Sequence, residues 1–219
     1  MNSPIIQLLV LAGIAVFLIL RLKNVLGTRD GFEPTADQPP AVPANRRRNL
    51  EVIEGGPDHD ITDHAEAGSD TARALAEMKR VEPSFSVSGF LQGARGAYEM
   101  ILMGFERGNL EEIRPFLSEE VFETFAEVVA VRDEKGLQVE AEFLGMREIA
   151  LAGAEFDSDT RRAAVTVRFV GELTSVVRDK DGTIVEGAPN KSKRQKDIWT
   201  FERVMGADDP NWRLVATGE

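Results

Sequence analysis

The chain is predicted to fold as an α+β protein. Apolar residues first recur at helical spacing, then alternate with polar ones, and the period changes near Gly136. A separate apolar run opens the sequence: from Pro4 to Leu20 only Gln7 is polar, and Arg21 and Lys23 follow at once.

The helices are justified in order. Val87, Phe90, Leu91, Ala94, Tyr98, Ile101, Leu102 and Phe105 form one wide apolar stripe, and Gly108 terminates it. Asn109 with Glu112 makes a capping-box-like start for a short second helix through about residue 117. Ser118 caps a third, whose first turn carries Glu119 and Glu120, favourable to the dipole. Its buried side is expected to be Val121, Phe122, Phe125, Val128 and Val129.

From Leu137 the period is two. Val139, Ala141 and Phe143 alternate with Gln138, Glu140 and Glu142, and the pattern runs on, shifted, past Gly145. Residues 163–177 are a second long strand with Val165, Val167 and Phe169 on one face, after a turn at Asp157-Ser158-Asp159. Asp179-Lys180-Asp181-Gly182 is a hairpin turn into a short strand at 183–186. Residues 191–196 read as a basic loop, and 197–204 and 212–217 as the last strands. Three helices and a curved antiparallel sheet, bent at Gly145 and Gly171, predict a cone-shaped half barrel with a cavity at its wide end.

The opening run reads as a membrane anchor over residues 1–27, with Ile5, Leu8, Leu11, Ile14, Phe17 and Leu20 in the bilayer. Arg21 and Lys23 snorkel to the headgroups. A cleaved signal peptide would need a basic start and a small-x-small site, and neither is present. Basic residues on the C-terminal flank alone predict an inner (cytoplasmic) membrane protein with its N-terminus outside and the rest in the cytoplasm. Residues 28–82 read as a flexible acidic linker, rich in proline, with room for a short helix at 70–80. The folded domain is expected over 83–219.

A net charge of −11 argues against nucleic-acid binding, and the absence of cysteine removes disulfides and thiolate chemistry. No cofactor is expected. His59 and His64 fall in the linker, where nothing fixes a metal geometry, so no metal site is expected. Within the domain Glu140 and Glu142 face either solvent or the cavity, and no pair of carboxylates is placed for acid–base work, so the chain is not read as an enzyme. Two basic clusters stand out: Arg46, Arg47 and Arg48 in the linker, and Lys191, Lys193, Arg194 and Lys196 in the domain. Both are candidates for contact with anionic lipid or a protein partner. Phe90, Tyr98, Phe143, Phe169 and Trp199 would line the cavity, taking a lipid tail or small apolar ligand, or else fill it as core.

Several stretches resemble a known family. They are Phe85-Ser-Val-Ser-Gly-Phe90-Leu91, Gly93-Ala94-Arg95, Ala97-Tyr98, Gly108-Asn109-Leu110 and Ile113-Arg114-Pro115-Phe116-Leu117-Ser118, with Trp199-Thr-Phe201-Glu-Arg203 and Asn211-Trp212-Arg-Leu214 near the end. Together they resemble the C-terminal domain of the mitochondrial inner-membrane import-motor anchor, the Tim-forty-four family, over about residues 83–217. With its N-terminal apolar run the chain is similar to the bacterial, TimA-type adaptors. The resemblance implies the cone fold shared with nuclear transport factor 2 and ketosteroid isomerase, a cystatin-like class. It also implies a membrane-proximal adaptor with a protein partner, acting in protein transport or membrane protein biogenesis. In mitochondria the family tethers a chaperone to a translocase, largely through a part N-terminal to this domain.

Overall fold

The computed structural model describes residues 58–218. Helices come first: α1 (His59–Thr62), α2 (Asp70–Val81), α3 (Val87–Glu106), α4 (Leu110–Ile113), a 3-10 turn (Arg114–Phe116) and α5 (Glu119–Glu134). Strands β1 (Gln138–Asp157), β2 (Arg162–Arg178), β3 (Ile184–Val204) and β4 (Arg213–Gly218) follow. They form one antiparallel sheet in the order β1-β2-β3-β4. The α+β order and the curved sheet agree with the sequence reading.

The central helix α3 is fixed at its start by two side chains. Ser86 Oγ accepts from the Gly89 amide at 3.0 Å. The Asp60 carboxylate accepts from the amides of Val87 and Ser88 at 2.8 and 2.9 Å, satisfying donors that the first helical turn leaves open. Lys79 Nζ sits 2.7 Å from both Asp58 and Asp60. Burial alone would raise the pKa of Asp60, but Lys79 and the Ser88 and Val87 amides outweigh it and hold the carboxyl far below its usual range.

These contacts correct the domain boundary. Residues 58–82, expected as linker, belong to the folded body, because Ile61, Ala72, Leu75 and Met78 are buried in the core. Helix α2, capped by Ser69, brings its buried Ala72, Leu75 and Met78 to one face, and α2 lies against β1. Such a stripe has no value until the sheet supplies its other half. The expected anchor at 1–27, the linker before residue 58, and Arg46, Arg47 and Arg48 lie outside the described residues.

Two helix expectations change in detail. In α5 only Val121 is fully buried, while Phe122, Phe125 and Val129 are half-buried and Val128 is exposed. The helix meets the end of α3 at Phe105, whose ring centre lies 4.5 Å from that of Phe125 and beneath the Arg132 guanidinium. Asn109 makes no side-chain cap; the chain turns instead through α4 and the 3-10 segment containing Pro115.

The strand alternation sorts side chains cleanly. Val165, Val167, Phe169 and Leu173 of β2, with Trp199 and Phe201 of β3, are buried on the inner face. The outer face carries ion pairs such as Arg147–Glu172, Arg168–Glu148 and Arg162–Glu202. Exposed pairs of this kind are each worth roughly 0–1 kcal/mol, so they keep the face solvated more than they hold it together. One segment departs from expectation. The basic loop at 191–196 is strand: β3 runs through it, and Ser192, Lys193, Arg194, Gln195 and Lys196 pair with Thr174, Leu173, Glu172, Gly171 and Val170. The Gly187 and Asn190 turn signals mark a bulge, at φ 78° and 64°, where β3 has more residues than β2 between successive pairs.

Candidate functional site

The inner face of the sheet meets α3 around Tyr98, which has no exposed surface. Its ring stacks on Phe169 with centroids 4.5 Å apart and 17° between planes, and meets Trp199 at 4.7 Å and Phe143 at 6.0 Å. Its hydroxyl donates to Asp197 Oδ2 at 2.5 Å, and Gln195 Nε2 donates to Asp197 Oδ1 at 3.3 Å. Burial first, and the Asp197 carboxylate after it, push the Tyr98 hydroxyl well above its ordinary range, so it stays a donor. Tyr98 has no exposed surface and Asp197 is 8% exposed, so the pair forms a fixed polar contact within an aromatic core.

The five residues named as cavity lining or as core divide between the two. Tyr98, Phe169 and Trp199 fill the core as one stack, with Phe143 packed against Tyr98. Only Phe90 lines an open groove. The groove has a volume of about 390 Å³ and lies between the first half of α3 and the β3–β4 end of the sheet. Phe85, Phe90, Phe201 and Trp212 form an aromatic wall, with Phe90 and Trp212 centroids 4.7 Å apart.

A charged clamp closes one end of the groove. Arg203 Nη2 donates to Glu82 Oε2 at 2.6 Å and Nη1 to the Pro210 carbonyl at 3.1 Å, and its guanidinium carbon lies 5.3 Å from the Trp212 ring centre. The Glu82 carboxylate also accepts from the Gly206 amide at 2.9 Å. The hydrogen bond from Arg203 holds the pKa of Glu82 below the usual carboxylate range against the opposing effect of burial. Arg203 Nε is buried with no hydrogen-bond partner.

Glu140 and Glu142 are exposed, and Glu140 pairs with Arg178 at 3.1 Å, so the carboxylates considered for acid–base work face solvent. His64 Nε2 lies 3.3 Å from Ser88 Oγ. Among the described residues no three His, Cys, Asp or Glu side chains gather as a metal site, and no helix is long and apolar enough to cross a membrane. Lys191, Lys193, Arg194 and Lys196 are exposed along β3, away from the groove. Sequence reasoning missed Asp197, Glu82 and Arg203. The signal for two of them was present: Asp197 and Arg203 stand at the ends of the inward-facing row that contains Trp199 and Phe201.

The described domain is a capped helix packed into a curved four-stranded sheet, with a filled aromatic centre and a groove at one end. The chain belongs to the Tim44-like domain family, which matches residues 71–219. It is 25% identical over 150 residues to the human mitochondrial import inner membrane translocase subunit TIM44, covering 67% of this chain and 33% of that protein. It is 22% identical over 191 residues to the Arabidopsis thaliana subunit TIM44-1, covering 83% of this chain and 40% of that one. The chain thus matches well under half the length of these relatives. Among solved structures, the intermembrane space region of the chloroplast protein ARC6 aligns at 15% identity with a TM-score of 0.40, over 58% of this chain and 94% of that one.

Proposed function

We propose that the chain is a single-pass membrane-anchored adaptor whose Tim44-like domain works on the cytoplasmic face of the inner membrane, recruiting a protein partner in protein transport or membrane protein biogenesis. The observation that carries this reading is one chain joining the apolar run at 4–20, with Arg21 and Lys23 behind it, to a domain shared with inner-membrane translocase subunits. Anchoring would raise the domain's effective concentration at the bilayer, so weak contacts suffice. Arg46, Arg47 and Arg48 would lie within reach of anionic headgroups, at roughly 1 kcal/mol per basic residue.

Deletion of residues 1–26 tests it. The shortened chain is expected to leave the membrane fraction, and its in-cell crosslinks to a partner are expected to disappear while its thermal unfolding stays unchanged. Unchanged fractionation and unchanged crosslinks would sink the tethering reading.

A further inference from the structure

We propose that the outer edge of β3 at residues 192–196 is a strand-addition site for an acidic, extended segment of a partner protein. This deepens the adaptor reading by naming the chemistry of its partner. The fractionation of the chain lacking residues 1–26 tests the tether separately.

Strand β2 pairs with β3 along this whole stretch, whereas β4 pairs only with Ile198 through Glu202. Backbone groups of residues 192–196 that point away from β2 therefore meet no strand among the described residues. Open edges of this kind accept an extended peptide, whose main chain supplies affinity and whose side chains supply selection. The other open edge, β1, is broken by three register shifts and carries Glu140, Glu142, Glu148 and Glu155.

Charge selects the occupant. In a protein of net charge −11, residues 191–196 contain four cations and no acid. Among the described residues Lys191, Lys193 and Lys196 have no carboxylate within ion-pair distance. Arg194 stands opposite Glu172, which Arg147 and Ser192 already engage. Like charge along the edge repels a second copy of the same edge, and it favours an acidic strand.

Geometry separates a peptide from a lipid surface. Lys193 pairs with Leu173 and so lies on the inner-face side, while Arg194 and Lys196 pair with Glu172 and Val170 on the outer-face side. A bilayer engages one face of a strand, whereas an added strand lies in the plane of the sheet and presents acids to both faces. At the head of the edge, the bulge leaves a recess of about 330 Å³ lined by Ser175, Gly187, Lys191, Ser192 and Lys193, a seat for one carboxylate side chain. Gly187 is needed there, since a Cβ would lie 2.1 Å from the Ser175 carbonyl oxygen.

The test uses the full chain in neutral detergent with two capped, fluorescent peptides of equal charge, one repeating Glu-Glu-Val-Val and one repeating Glu-Glu-Pro-Pro, so that both would present acids to both faces. The valine peptide is expected to bind at least about tenfold more tightly, because paired prolines put one missing N–H toward the edge in either register. It should also slow amide exchange at residues 192–196. Lys193→Glu alone should weaken it several-fold, and Lys193→Glu, Arg194→Glu and Lys196→Glu together should abolish it with the unfolding temperature retained. Equal binding of the two peptides would reduce the site to bulk charge and overturn the proposal. So would binding of phosphatidylglycerol vesicles, lost in the triple variant, with neither peptide bound.

Discussion

Tyr98→Ala is expected to cost about 4 kcal/mol, in the range found for large aromatic truncations in packed cores. At this chain length that lowers the unfolding midpoint by roughly 10 °C. The ring is fully buried and touches Phe169, Trp199 and Phe143, so its removal opens a cavity that none of these rings can collapse into without leaving its own contacts. Tyr98→Phe separates the two contributions. It keeps the stack and removes the donor to Asp197, at about 1–2 kcal/mol. Urea denaturation of the three proteins measures both. If Tyr98→Ala cost no more than Tyr98→Phe, the filled aromatic core would be wrong and an open cavity right.

The second large effect is at Arg203. Its side chain is 9% exposed, so removal leaves Glu82 without its cation in a mostly desolvated corner and takes the packing from Trp212. Arg203→Ala is expected to cost about 3 kcal/mol. The pH dependence is distinctive. The folded pKa of Glu82 is depressed by Arg203, so the stabilisation is present above the ordinary carboxylate pKa near 4.5 and is lost as pH falls through the depressed folded value. The gap between native and Arg203→Ala proteins should therefore narrow on acidification from about pH 6 to pH 3. A gap that stayed constant over that window would mean the ion pair contributes nothing beyond packing.

Both predictions rest on features that local sequence patterns present unequally. The stripe of α3 and the alternation of β2 were legible because their periods are set by the backbone and repeat for several turns or residue pairs. Helix α2 was legible as a helix yet misplaced as linker, since the burial of Leu75 and Met78 depends on a sheet that begins more than fifty residues later. The stretch 191–196 looked like a loop because Gly187, Pro189 and a run of cations precede or fill it; pairing to β2 overrides that local preference. In the same way Tyr98 and Trp199 were read as cavity lining or core, and only their mutual stacking decides for core. The Glu82–Arg203 clamp joins residues 121 positions apart, a pairing that composition and spacing do not encode.

The central claim is an anchored domain on the cytoplasmic side, and the absence of native cysteine allows a direct measurement. Ser158 lies in the exposed turn between β1 and β2, so Ser158→Cys gives the full chain a single reactive thiol. In cells whose outer membrane alone is permeable, a membrane-impermeant maleimide is expected to leave this thiol unlabelled, and to label it once the inner membrane is opened. Labelling before the inner membrane is opened would place the domain on the opposite side and contradict the account.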